Sequence, residues 1–232
     1  FWNESTQFAH YINKTYELQD SDFVGICMPR SAAQLIALLG VIKSGSAYVP
    51  FDISWPTERI ASVVENANLK ALITVETFVA FKQWQKEDLK INVSQNKDLS
   101  GSNTIYCIYT SGSTGKPKGC KISHSNLLNY LSHAITYWKE NESLEAAYFS
   151  PISFDFTITS ILGCWLSKGK LIVYPEDENV YDIVNEVVAN PNMDVIKLLP
   201  VLVNLIKEEI LISAIPKTFI IVVEALTFKN IK

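Results

Sequence analysis

The sequence predicts an α/β protein with mostly parallel sheets flanked by helices. Short apolar runs such as FVGICM (23–28), LKALITV (69–75) and TIYCIYT (104–110) recur along the chain. Segments with helical apolar spacing separate them. The runs are apolar throughout rather than alternating, as strands covered on both faces are.

Taken in order, residues 4–16 carry a helical pattern through Phe8, Ala9, Tyr11 and Ile12. FVGICM follows as a strand. Ser31 is a good N-cap for SAAQLIALLGVIKSG, a helix that stops near Gly45. AYVPF is strand-like, and PTERIASVVENA is a helix with Pro56 early, where its missing N–H costs little. LKALITV is a strand. The polar stretch 76–103 reads as a helix plus loop, and TIYCIYT is a strand. SHSNLLNYLSHAITYW (123–138) is helical, AAYFS strand-like, and FTITSILGCWLSKG an apolar helix ending at Gly169. KLIVYP, VYDIVNEVVANP, MDVIKLLP, VLVNLIKEEI and KTFIIVVEAL continue the alternation. The expected division lies near the glycine-rich run after TIYCIYT. About 1–110 forms a first sheet region, and about 111–232 a second.

With 232 residues, 48% hydrophobic and 19% charged, the chain has material for one large or two small cores. The net charge of -4 and pI of about 5.5 argue against a nucleic-acid or anionic-membrane partner. No window of ~18 apolar residues predicts a membrane span. Cys27, Cys107, Cys120 and Cys164 form no CxxC pair, and His10, His124 and His133 have no ligand spacing. Reduced thiols in a cytoplasmic protein are expected, with no disulfide framework and no zinc site. Phe1 in place of Met, and an end at FKNIK just after a strand, read as a piece of something longer.

The run YTSGSTGKPKG (109–119) carries the chemistry. Gly112 and Gly115 permit backbone angles that turn successive N–H groups inward as an anion-binding nest. Thr110, Ser111, Ser113 and Thr114 add hydroxyls, and Lys116 and Lys118 add charge. Read from composition, the loop is either a phosphate cradle or a surface linker. It is not a Walker A motif, because GSTGK is followed by Pro117, which disfavours helix at Lys116.

YTSGSTGKPKG resembles the phosphate-binding loop of the adenylate-forming superfamily: acyl-CoA synthetases, luciferase and the adenylation domains of non-ribosomal peptide synthetases. IKSGSAYVPFDISWPTERI (42–60) is similar to a peptide-synthetase motif, and SFDFTI (153–158) to the aromatic–Asp motif of the same domains. VGICMPRS (24–31) and the run ending in EAL (224–226) fit as well. Order and spacing match over nearly the whole chain.

The resemblance implies the large N-terminal subdomain of an adenylation domain, a layered sandwich with an incomplete active site. It implies joining an amino acid to AMP with release of pyrophosphate, then thioester loading onto a carrier protein's phosphopantetheine beside neighbouring synthetase domains. ATP and Mg²⁺ are implied. Thr110, Ser111, Gly112, Ser113, Thr114, Gly115 and Lys116 would touch phosphate, with Lys118 nearby. Asp155 would bind the α-ammonium and Phe154 would wall it, while Phe156, Thr159, Lys197, Ile220 and Val222 would line the side-chain site. Asp155 also has a plain reading as an N-cap. Lys197, in the apolar run MDVIKLLP, also reads as an edge or snorkelling residue. An opening of Asp, Phe, Thr, Lys is similar to the lining of domains selecting aspartate or asparagine, since a buried ammonium wants a carboxylate or amide oxygen.

Two departures stand out. VVEAL (222–226) places valines where the family has glycines, which would crowd a ligand. The family's YGPTE-like segment, ribose-binding Asp and C-terminal subdomain with its adenylation lysine are not within the 232 residues, and no metal ligand is expected in the chain. The segment alone is therefore expected to be inactive; activity matching a complete domain would refute that. Competing expectations are a free-standing acyl or aryl acid ligase, or a non-catalytic nucleotide-binding module.

Overall fold

The computed structural model describes residues 1–87, 100–110, 117–137, 145–193, 195–206 and 218–221. The chain divides into two compact units, Phe1–Leu128 and Asn129–Lys232.

In the first unit, α1 (Trp2–Tyr16), β1 (Phe23–Ile26), α2 (Ala32–Lys43), β2 (Ala47–Pro50), α3 (Thr57–Ala67), β3 (Ala71–Ile73), α4 (Val75–Glu87) and β4 (Thr104–Thr110) follow the predicted order. The strands form one sheet in the order β3-β1-β2-β4-β5, where β5 is Lys118–Ser123. Pairings among β1 to β4 are parallel; β4–β5 is antiparallel. The sequence reading assigns no element to KGCKIS, because β5 is polar and largely exposed. It is an edge strand with no apolar signature.

Local chemistry accounts for these elements. The Ser31 hydroxyl accepts the Gln34 N–H at 3.2 Å, the expected N-cap of α2. Pro56 caps α3 from just outside its first helical residue. Period-2 alternation sends Val49, Phe51, Cys107 and Tyr109 to one face, where Val63 and Ala67 of α3 cover them. Helix α2 packs on β1 and β2, and α1 on α2 and α4. A Cβ at Gly40 would come within 2.6 Å of the Phe8 ring, so glycine there lets α1 and α2 approach. The rings of Phe8 and Phe81 meet edge to face at 5.0 Å.

The second unit begins within α5 (His124–Ala134) and continues through a 3₁₀ turn at Ile135–Tyr137. Then come β6 (Glu145–Tyr148), α6 (Phe156–Ile158), a π-helical turn at Thr159–Gly163, and α7 (Cys164–Leu166). β7 (Lys170–Val173), α8 (Val180–Ala189), β8 (Val195–Leu198), α9 (Pro200–Val203) and β9 (Thr218–Ile221) complete it. Strands pair in parallel as β6–β7 and β8–β9. The expected apolar helix after SFD forms, but with a π turn in its middle. Ile196 and Leu198 join Ile183, Val184, Val187 and Val188 of α8 in one core. Val195 packs with Ala146 and Cys164 on the opposite side, so β8 is covered on both faces. The thiols of Cys27, Cys107, Cys120 and Cys164 are free. Among the described residues, no helix is long and apolar enough to cross a membrane.

Candidate functional site

Strand alternation decides where Lys197 points. Residues 195 and 197 share one face of β8, and 196 and 198 share the other. Ile196 and Leu198 fill the α8 core, so Lys197 is directed to the side of Val195. Its neighbours there come from the helix after Asp155. A π turn closes i→i+5 and brings residues five apart onto one face. Thr159 and Cys164 are five apart, and both face β8: Cys164 packs with Val195, and the Thr159 hydroxyl accepts a hydrogen bond from Lys197 Nζ at 2.8 Å.

Lys197 is only 9% exposed, Thr159 2% and Phe156 6%. The ammonium lies 4.9 Å from the centre of the Phe156 ring, a cation–π contact. Burial lowers the Lys197 pKa to about 8, and the negative charge of Asp155 opposes that shift. Among the described residues no carboxylate pairs directly with Lys197. The cation is neither at an exposed edge nor snorkelling.

Asp155 is exposed and stands where the helix begins. Its backbone is already right-handed helical (φ -58°, ψ -22°), and its side chain makes no capping hydrogen bond. The N-cap reading therefore lacks its defining bond, and the carboxylate remains available near Lys197. Just before it, Ser153 Oγ is buried without a hydrogen-bond partner among the described residues. Ile220 on β9 sits in register with Lys197 and packs with the Val195 and Cys164 group. Phe154 is 58% exposed and takes no part in these contacts. Val222, with the rest of VVEAL, lies outside the described residues.

The sequence reading missed Tyr130 of α5. Its hydroxyl is 2.6 Å from Thr159 Oγ1, the same oxygen that receives Lys197. The available signal was a hydroxylated aromatic three residues after Leu127, flanking the stripe of Leu127, Leu131 and Ala134 that α5 buries. Nothing local indicates a partner 29 residues away.

In the first unit, the glycine-rich loop springs from a β-hairpin. Thr110 ends β4 and Lys118 begins β5, and the two are directly paired. Both are exposed. Ser111, Gly112, Ser113, Thr114, Gly115 and Lys116 lie outside the described residues. The stem fits the expectation that Pro117 keeps the loop from running into a helix. Gly119 pairs with Tyr109, and a Cβ there would come within 2.7 Å of Cys107 Sγ and 2.9 Å of the Tyr109 ring. The Tyr109 hydroxyl in turn donates to Asn66 Oδ1 of α3 at 2.9 Å. Backbone, ring and helix thus fix the loop's base.

The described residues bring together no group of three His, Cys, Asp or Glu side chains that could hold a metal ion. The Mg²⁺ implied by the resemblance has no ligand set among them.

Known proteins share both the sequence and the fold. The chain is 31% identical over 213 residues to bacitracin synthase 3 of Bacillus licheniformis, covering 88% of this chain and 3% of that protein. It is 33% identical over 210 residues to surfactin synthase subunit 2 of Bacillus subtilis (strain 168), covering 85% of this chain and 6% of that one. The chain thus spans a small fraction of these relatives. The N-terminal subdomain of Klebsiella oxytoca NpsA, solved with 3-hydroxyanthranilyl-AMSN, superposes with a TM-score of 0.78 at 22% identity, over 94% of this chain and 57% of that one. VinN, solved with L-aspartate, superposes with a TM-score of 0.81 at 16% identity, over 99% and 63%. At these identities the structural likeness is one of fold alone. The family model for AMP-binding enzymes matches residues 1–219, and on that match the chain belongs to the AMP-binding enzyme family.

Proposed function

We propose that the chain is the substrate-binding core of an adenylation domain that activates aspartate, with asparagine second, as the aminoacyl-AMP. The observation that carries this reading is the buried ammonium of Lys197. It is held by the neutral Thr159 hydroxyl under the Phe156 ring, while the uncapped Asp155 carboxylate lies near it. An isolated buried cation is costly unless an anion meets it. A substrate with one ammonium and one side-chain carboxylate would satisfy both groups, its ammonium on Asp155 and its side-chain oxygens on Lys197. Aspartate neutralises the lysine charge, whereas asparagine offers only a dipole. VinN, which shares the fold, was solved with L-aspartate.

The reaction is the one that the relation to the AMP-binding enzyme family implies. An oxygen of the substrate's α-carboxylate attacks the α-phosphorus of ATP, the bond to the bridging oxygen breaks, and pyrophosphate leaves. Thr110 and the loop Ser111, Gly112, Ser113, Thr114, Gly115 and Lys116 would hold the departing phosphates by N–H, hydroxyl and ammonium donors, with Lys118 adding charge at the stem. Phe154, Phe156, Ile220 and Val222 would shape the amino-acid site. Catalysis by these residues is positioning and charge stabilisation. Transfer to a carrier protein's phosphopantetheine thiol would follow in the full-length protein, as the relation to peptide synthetases suggests.

The test is amino-acid-dependent exchange of labelled pyrophosphate into ATP by the full-length chain, across the common amino acids. A maximum at aspartate or asparagine is expected. A maximum at an apolar amino acid would remove Lys197 from the substrate site, and no exchange at all would overturn adenylation.

A further inference from the structure

We propose that Tyr130 is a positioning residue for side-chain recognition, acting through Thr159 on Lys197. This rests on the aspartate or asparagine reading above.

Thr159 Oγ1 has one proton and two lone pairs. Lys197 Nζ donates to it at 2.8 Å and cannot accept. The Tyr130 hydroxyl is 2.6 Å from the same atom. A helical threonine often donates to the carbonyl four residues back, which here is that of Asp155. That carbonyl instead receives the Ile158 N–H, and no hydrogen bond from the Thr159 hydroxyl to it is present. Among the described residues, the Tyr130 hydroxyl is the oxygen within hydrogen-bond reach of the Thr159 hydroxyl besides the Lys197 contact, and either hydroxyl can be the donor. In the proposed arrangement Thr159 gives its proton to Tyr130 and turns its lone pairs toward Lys197.

This arrangement fixes the ammonium. One of its three N–H groups is spent on Thr159, and two remain for a substrate carboxylate. The tyrosine comes from α5, the threonine from the π turn and the lysine from β8, so three separate elements converge on one oxygen. A π turn at such a point is common at functional sites. Tyr130 itself is 44% exposed and is not part of the buried core.

The experiment is Tyr130→Phe in the full-length chain, read by pyrophosphate exchange with aspartate. Loss of one hydrogen bond in the chain predicts a KM for aspartate raised about 2- to 10-fold. The turnover rate, the KM for ATP and the melting temperature are expected to stay unchanged. In a Thr159→Val background the same substitution should add nothing, because the effect travels through that hydroxyl. A KM for aspartate unmoved by Tyr130→Phe overturns the proposal, as does a full additional loss in the valine background. A wild-type protein that exchanges with neither aspartate nor asparagine overturns the proposal together with the reading beneath it. A wild type that exchanges normally, with an indifferent Tyr130→Phe variant, overturns the proposal alone.

Discussion

Lys197 Nζ lies 2.8 Å from Thr159 Oγ1, and both side chains are almost wholly buried. The two residues are 38 positions apart. Strand alternation turns the lysine toward the helix, and the π turn directs the threonine toward the strand. A neutral oxygen satisfies one N–H of an ammonium but none of its charge. The charge of Asp155 reaches this cation, but among the described residues no carboxylate pairs with it directly.

Lys197→Met should separate binding from stability. A charge-assisted hydrogen bond to substrate is worth about 1.5–3 kcal/mol, so exchange with aspartate should fall roughly 10- to 150-fold in kcat/KM. The melting temperature should hold or rise, because an apolar side chain of similar length removes the cost of burying a charge. Exchange assays paired with thermal melts check both halves. A destabilised variant with unchanged aspartate preference would make Lys197 a purely structural residue.

The same lysine sets a pH dependence. Burial lowers its pKa from 10.5 to about 8. Between those values the unfolded chain holds a proton that the folded chain has released, so stability rises with pH across that window. Below pH 8 the folded chain bears the full cost of the buried charge. Substrate recognition runs the other way, because the carboxylate needs the ammonium. The KM for aspartate should be flat below about pH 8 and climb above it, with a weaker trend for asparagine. A KM profile measured from pH 6.5 to 9.5 tests this, and identical profiles for the two amino acids would count against Lys197 as the reader.

Most elements were legible because each carries a local signature. Ser31 caps α2, Pro56 opens α3, and TIYCIYT maps residue for residue onto β4. Strand β5 was not, because an exposed edge strand of mixed polar residues has no apolar period to read. The π turn was also invisible: TSILG is as apolar as the α-helix around it, and its extra residue per turn is set by the packing of Thr159 and Cys164 against β8. At the site, Asp155 and Lys197 were visible as charges in apolar surroundings. Tyr130 was not, since its hydrogen bond to Thr159 joins segments distant in sequence.

Asp155→Ala distinguishes substrate binding from capping. Loss of an N-cap costs about 1 kcal/mol, roughly 2–4 °C in a chain of this size. The carboxylate makes no capping bond, so the melting temperature should move by less than that. If it meets the α-ammonium, the KM for every amino-acid substrate should rise, by about 10-fold or more for a lost charge-assisted contact. A melt shifted by several degrees with an unchanged KM would return Asp155 to a structural role.

Gly119→Val tests whether the base of the glycine-rich loop must be rigid. Valine is a better strand residue than glycine, so strand propensity alone predicts a gain. The structure predicts a loss, because a Cβ at this position meets Cys107 Sγ at 2.7 Å and the Tyr109 ring at 2.9 Å. Relief requires the Tyr109 ring to move, and that ring is tied to α3 through Asn66. Overpacking of this kind costs about 1–3 kcal/mol. Thr110 and Lys118, which pair across the stem next to this site, would lose their register. The KM for ATP should therefore rise several-fold, with that for the amino acid little changed, because Asp155 and Lys197 belong to the other unit. Exchange kinetics with ATP and amino acid varied in turn separate the two. A KM rise confined to the amino acid would detach this hairpin from nucleotide binding.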